Sequence, residues 1–326
     1  MADLKTSYLG LSLRNPLIVS SSGLTDAADK VKHLEEYGAG AVVLKSLFEE
    51  QIINEANAQS NQADDYPEAY DFMQGYIQGQ ELQKYLDNIS GAKKATNIPI
   101  IASINCVGEG KWVEFGKQLE SAGADAIELN VYHLPTDPTK PASHYEELYY
   151  KTVEELVGQV KIPVSVKLSR LFTNPLYVIS QLRNRGVKGV VMFNRYYEPD
   201  INLAKQAIES AEVFSTQHEL APTLRWLALA SAQITDIDLS ASTGIHTGED
   251  VAKAILTGAD AAQLCTVLYH KGPKHLAKVL EEFEAAMKTL GVASVAEMKG
   301  KMNYAKGNIL LFERSQFMKY FSSREG

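Results

Sequence analysis

Residues 238–266 read DLSASTGIHTGEDVAKAILTGADAAQLCT. Asp238–Ser242 is a short run that ends in small and polar residues. The stretch Glu249–Leu256 carries apolar residues at helical spacing, and Gly258–Ala259 closes it before a second apolar run, Ala261–Leu264. A glycine just past a helix ends it with a tight return. Two buried runs joined through a helix form a parallel strand–helix–strand unit, because parallel neighbours need a long crossover.

The same punctuation recurs outward from this segment. Six more apolar runs precede it: Leu17–Ser20, Ala41–Leu44, Pro99–Ile104, Ala126–Asn130, Pro163–Leu168 and Gly189–Phe193. Amphipathic stretches lie between them, at Asp26–Tyr37, Lys111–Ala122, Tyr145–Val157, Pro175–Arg185 and Pro222–Ala232, and several close on Gly followed by a small residue: Gly38–Ala39, Gly123–Ala124 and Gly186–Val187. Eight strand–helix units in succession predict an α/β fold of the (β/α)8 TIM-barrel type, usually about 250 residues long. A doubly wound open sheet is the alternative, and the absence of a glycine-rich dinucleotide fingerprint after the first strand weighs against it. The chain reads as one domain over 1–326, with insertions at about 47–80, 131–144 and 195–221. All three follow strand C-terminal ends, the face on which barrel enzymes carry their chemistry, so they are expected to enclose a ligand. The aromatics Phe312, Phe317, Tyr320 and Phe321 of the tail are expected to pack on the barrel or on another subunit.

Composition excludes several classes of function. The chain has 326 residues, 45% hydrophobic and 22% charged, with 40 acidic against 32 basic residues and a net charge of −8, which speaks against a nucleic-acid surface. Cys106 and Cys265 cannot build a disulfide framework, and no run approaches the roughly 20 apolar residues of a membrane helix. MADLKTSYLGLSL lacks the pattern of a signal peptide. A cytoplasmic protein with a small-molecule partner, no nucleic acid, no membrane and no metal is the expectation.

The loops after the seventh and eighth strands hold Ser242-Thr243-Gly244 and Cys265-Thr266. In barrels these loops and the N-terminus of a nearby helix form a recurrent phosphate site, since backbone N–H groups converge there. Gly244 lets backbone approach an anion, and the Thr243 and Thr266 hydroxyls can donate. Alternatively Ser-Thr-Gly merely turns the chain and Thr247 caps the following helix.

STGIHTGEDVAKAILTGADAAQLCTVLYHKGP resembles the C-terminal flavin-phosphate segment of the dihydroorotate dehydrogenases, and the resemblance runs over nearly the whole chain. LGLSLRNPLIVSSSG resembles that family's opening strand, which implies that Ser21, Ser22 and Gly23 lie against a flavin ring. LKS resembles its Lys-Ser pair, with Lys45 contacting flavin and substrate and Ser46 beside it. ELN puts Asn130 at a flavin- and substrate-binding asparagine, PVSVKLS puts Lys167 at the flavin-binding lysine, and MFN puts Asn194 at a substrate-contacting asparagine. The resemblance is to the cytosolic class 1 branch, since the N-terminal membrane-associating extension of class 2 is missing. It implies an FMN cofactor, a homodimer, an electron acceptor that the sequence does not identify, and oxidation of (S)-dihydroorotate to orotate in pyrimidine biosynthesis. Chemistry agrees: a fixed ammonium stabilises the negative charge that a flavin gains when it accepts hydride. A lysine at Lys167 answers equally to a strand-end carboxylate such as Glu128, and Lys45 has the same ambiguity.

Departures from the pattern bear on the substrate. The family's loop base, Cys in class 1 and Ser in class 2, sits in a Ser-Cys-Pro-Asn stretch; here Tyr132-His133-Leu134-Pro135 stands in its place. Neutral imidazole accepts protons near neutrality, which makes His133 the candidate base and Tyr132 a weaker one; a loop histidine beside a proline is otherwise simply solvated. The family's orotate-binding loop is replaced by EAYDFMQGYIQGQEL, with Met73 and Gly75 a faint echo. Its Gly-Gly is Thr243-Gly244 and its Gly-Thr is Cys265-Thr266, a replacement that backbone donors tolerate if Thr243 and Cys265 keep negative φ. Cys265 reads as a small loop residue, and Cys106 as a buried one near the third strand. Three functions stay open: an FMN-dependent dehydrogenase of dihydroorotate or a related cyclic amide, a flavin-binding protein of the same fold without that activity, and a phosphate-binding barrel isomerase or aldolase with Lys167 as Schiff-base lysine.

Overall fold

A computed structural model describes residues 2–48, 67–105, 111–306 and 312. Cys106, Phe317, Tyr320, Phe321 and residues 49–66 of the first insertion lie outside the described residues. In chain order the strands are β1 (Thr6–Tyr8), β2 (Leu11–Leu13), β3 (Leu17–Val19), β4 (Ala41–Val43), β5 (Leu47–Phe48), β6 (Ile100–Asn105), β7 (Ala126–Leu129), β8 (Val164–Leu168), β9 (Gly189–Met192), β10 (Pro199–Asn202), β11 (Ala207–Ser210), β12 (Asp238–Ser242) and β13 (Ala261–Leu264). The helices are α1 (Ala28–Glu36), α2 (Pro67–Ala95), α3 (Lys111–Ser121), α4 (Ala142–Val157), α5 (Pro175–Asn184), α6 (Leu220–Gln233), α7 (Gly248–Thr257), α8 (Thr266–Lys271), α9 (His275–Thr289) and α10 (Val295–Met298).

Eight parallel strands run in the order β4-β3-β13-β12-β9-β8-β7-β6, and a β4–β6 pairing closes the ring. This is the expected (β/α)8 barrel. The α7 helix ends as the sequence predicts, on Gly258 in the left-handed conformation. One expectation changes in character: EAYDFMQGYIQGQEL runs inside α2, so the second half of the first insertion is helix rather than loop.

Strand alternation sorts the residues. Leu17, Val19, Val42, Ile100, Ile127, Val164, Val166, Val190 and Leu239 point outward into the shell of helices, a continuous apolar layer. The opposite set points inward and changes along the barrel axis. At the floor, Ile18, Ala41, Val43, Ile101, Ala126 and Ala261 pack against Tyr8, Leu9 and Leu13 of the β1–β2 hairpin. Gly189 lets the hairpin pack closely there, since a Cβ on it would sit 2.5 Å from Leu9 Cδ2 and displace that side chain. Toward the C-terminal ends the inward set turns polar: Ser20, Ser103, Glu128, Ser165, Lys167, Ser240, Ser242 and Gln263 are all buried. The hairpin thus stoppers one end, and the polar groups face the other.

The β10–β11 ribbon fills the third insertion. It stands off the barrel with both strands exposed, and pairs Ile201 with Ile208.

Candidate active site

A pocket of about 480 Å³ opens at the C-terminal end of the barrel, within the roughly 300–1,000 Å³ of small-molecule and cofactor sites. Nine predicted residues line it: Ser21, Ser22, Gly23, Lys167, Asn194, Thr243, Gly244, Cys265 and Thr266. Ser46 stands just behind, its backbone N–H donating to Ser21 Oγ at 2.8 Å. Asn130 is joined to the wall through Asn194, whose Nδ2 donates to Asn130 Oδ1 at 2.5 Å. Lys45 is exposed at the rim and does not line this pocket.

Lys167 is buried where an inward-facing strand residue reaches the mouth. Its Nζ donates to Ser20 Oγ at 3.0 Å and to Gln263 Oε1 at 3.2 Å, with Glu128 Oε1 at 3.9 Å. The two sequence readings of this lysine therefore coexist: it sits beside a buried carboxylate and also lines the pocket.

At the other end, Ser215 Oγ donates to Thr266 Oγ1 at 3.1 Å and accepts from the Gly244 N–H at 3.4 Å. His246 Nε2 lies 3.4 Å from the same oxygen. Burial lowers the His246 pKa, opposed by the Asp250 carboxylate. One expectation is corrected here and its companion holds. Thr243 has φ +75°, in the left-handed region, a cost of about 1–3 kcal/mol for a residue with a Cβ. Its hydroxyl offsets part of this by donating to Phe193 O at 2.9 Å. Cys265 keeps a negative φ, −141°, and burial pushes its thiol pKa up, against the pull of the Lys167 charge. The N-terminus of α7 is already occupied. Asp250 Oδ2 accepts from the His246 and Thr247 N–H groups, and Glu282 Oε2 from the Gly248 N–H. Thr247 caps α7, as the alternative sequence reading had it.

His133 lies elsewhere. It lines a second pocket of about 270 Å³ with Pro135, Tyr149, Ser169 and Phe172, its ring edge-on to Tyr149 at 6.1 Å. Burial, with a smaller contribution from His144, lowers its pKa, so the imidazole is neutral at pH 7. Tyr132 packs instead on Tyr196, two residues beyond Asn194, with ring centroids 4.0 Å apart and planes tilted by 37°. Burial raises the Tyr196 pKa, opposed by the Asn194 amide.

The profile of the family described as dihydroorotate dehydrogenase matches residues 3–287. The chain belongs to the dihydroorotate dehydrogenase family. It is 24% identical over 303 residues to dihydroorotate dehydrogenase B (NAD(+)), catalytic subunit, of Thermoplasma acidophilum, covering 92% of this chain and 99% of the relative. It is 25% identical over 316 residues to dihydroorotate dehydrogenase A (fumarate) of Limosilactobacillus reuteri, covering 89% and 94%. A third relative, the B-type catalytic subunit of Methanocaldococcus jannaschii, is 25% identical over 304 residues, covering 87% and 94%.

The dihydroorotate dehydrogenase family implies a flavin, and the residues present fit one. At one end the Thr243 hydroxyl and the Gly244 N–H are already spent on Phe193 O and Ser215 Oγ, while the Thr266 oxygen accepts from Ser215 and keeps its own hydrogen for a phosphate; a buried ammonium and an asparagine pair occupy the other end. Among the described residues no cluster of His, Cys, Asp and Glu could hold a metal, and no helix is long and apolar enough to cross a membrane. Sequence reasoning missed four groups. Gln263 and Ser215 are ordinary polar residues whose role comes from partners 96 and 51 positions away. Arg195 Nε donates to Glu219 Oε2 at 3.1 Å and its Nη1 to Val213 O at 2.7 Å, pinning the wall that follows the ribbon. Burial acts upward on Glu219, but the Thr216 N–H, Arg170 and Arg195 outweigh it and hold its pKa low. Only the Asn194-Arg195 adjacency could have hinted at these.

Proposed function

We propose that this protein is an FMN-dependent oxidoreductase acting on the CH–CH bond of dihydroorotate or a related cyclic amide. The observation that carries the proposal is the Asn130–Asn194 pair, which offers amide donors and acceptors for a flat polar ring beside a pocket containing a buried lysine. Ser21, Ser22, Gly23, Ser46 and Lys167 would hold the ring end of FMN, and Thr243, Gly244, Cys265 and Thr266 its phosphate end. FMN, when bound, supplies the two-electron acceptor.

In this scheme Asn130 and Asn194 orient the substrate, and Lys45 closes over it from the rim. A proton must leave the substrate carbon. His133 is neutral and able to accept it, provided that the largely exposed segment 132–141 carries the ring from the second pocket to the asparagine pair. The relatives' names give NAD(+) and fumarate as acceptors; either class would reoxidise the cofactor. Assembly as a homodimer belongs to the same proposal.

The test is to purify the protein, record its visible spectrum and titrate it anaerobically with dihydroorotate. Yellow protein that bleaches supports the proposal. Yellow protein that stays oxidised would keep the cofactor and remove dihydroorotate as substrate, and colourless protein that takes up no FMN would overturn it.

A further inference from the structure

Lys167 stands at the head of a buried chain of side chains that the proposed reaction does not touch. Its Nζ donates to Ser20 Oγ and to Gln263 Oε1, and Ser20 Oγ donates to the same Gln263 oxygen at 3.0 Å. Gln263 Nε2 in turn donates to Glu128 Oε2 at 2.7 Å. Glu128 is 1% exposed and Gln263 2%, and Glu128 Oε1 has no hydrogen-bond partner. It faces the ammonium from 3.9 Å, too far for a bond.

Donor and acceptor chemistry fixes the direction of this chain. An ammonium only donates and a carboxylate only accepts, so the amide between them can point one way. The ammonium has three N–H donors. Two are committed to Ser20 and Gln263, and the distance to Glu128 leaves the third for the pocket. A carboxylate this close, in an interior that screens weakly, attracts the ammonium and also opposes any negative charge gathering above it.

We propose that Glu128 and Gln263 are positioning residues: they hold the Lys167 ammonium at the pocket and set how strongly the site favours reduced over oxidised FMN. The inference rests on the proposed function, since it presumes that FMN binds here. Removing the Glu128 charge leaves the ammonium uncompensated and favours the reduced, more negative cofactor. Without Lys167 there is no ammonium for Glu128 to hold, and replacing Glu128 by Gln should then change little.

The experiment is an anaerobic dye-coupled titration of the FMN midpoint potential in the holoprotein and its variants, a readout that needs no substrate. Glu128→Gln should shift the reduction equilibrium at least about tenfold toward reduced FMN, which is about 30 mV upward for a two-electron couple. Glu128→Asp keeps the charge and should stay within about threefold of the parent. Glu128→Leu also removes the charge and should shift the same way as Glu128→Gln, and it serves if that variant does not fold. In a Lys167→Met background the effect of Glu128→Gln should fall below about threefold. The proposal is overturned if Glu128→Gln titrates with the parent, or if its shift persists undiminished without Lys167. A parent protein that takes up no FMN overturns the proposed function and this inference with it.

Discussion

Asn194 and Asn130 are 64 residues apart in the chain, yet their amides meet at 2.5 Å across the ends of β9 and β7. Each follows the last residue or two of its strand, and the intervening β8 brings them within reach. Their bond consumes one donor and one acceptor and leaves the remaining amide groups to meet a ligand.

Asn194→Ala removes the donor of the pair. Losing a polar contact to a bound ring costs about 1–3 kcal/mol, so dihydroorotate should bind about tenfold or more weakly by the bleaching titration. FMN content should stay near that of the parent. Unchanged substrate affinity would remove the pair from the substrate site.

His133 makes a pH prediction whose sign follows from its lowered pKa. An unfolded chain takes up this proton near pH 6.5, whereas the folded protein resists until lower pH, so the histidine costs stability as pH falls below about 6.5. His246, also lowered by burial, acts in the same direction. The drop in Tm between pH 7.5 and 5.5 should therefore be smaller in His133→Asn than in the parent. The same variant should lose most of the rate of anaerobic flavin reduction, and retained rate would exclude His133 as base.

Thr243 separates two effects at one position. Thr243→Gly relieves the left-handed φ but loses the bond to Phe193 O, and a relief of about 1–3 kcal/mol against a lost bond of about 0.5–1.5 kcal/mol leaves only a small change. Thr243→Val keeps the strained backbone and loses the bond, so it should be the less stable of the two by at least about 1 kcal/mol. Thermal unfolding of the pair decides this, and a Val variant as stable as the Gly variant would refute it.

Gly244→Ala tests the phosphate end. Its φ is +83°, and a Cβ there would come within 2.5 Å of Leu220 N. The backbone must shift, and α6 with it, so the variant should lose at least about 2 kcal/mol of stability and take up FMN less tightly in a fluorescence titration.

The barrel strands were legible because a strand buried on both faces reads as an unbroken apolar run, and the helices because they are amphipathic and end on glycine. Lys167, Asn130 and Asn194 were legible through the family resemblance of the motifs that hold them, and the structure puts all three at strand ends near the mouth. The β1–β2 hairpin was not. Its turn residues Leu9 and Gly10 both have positive φ, and a leucine there hides the usual Asn-Gly signal. The ribbon alternates too weakly to announce itself. Gln263, Ser215 and Glu219 act through contacts that no local pattern encodes, and the placement of His133 depends on how a loop packs against Tyr149 and Phe172.

The hairpin that stoppers the barrel floor with Tyr8 has a bearing on traffic. Among the described residues the floor offers no passage, so a molecule held in the pocket would leave by the mouth through which it entered. A departing molecule and the next arrival would then contend for one passage.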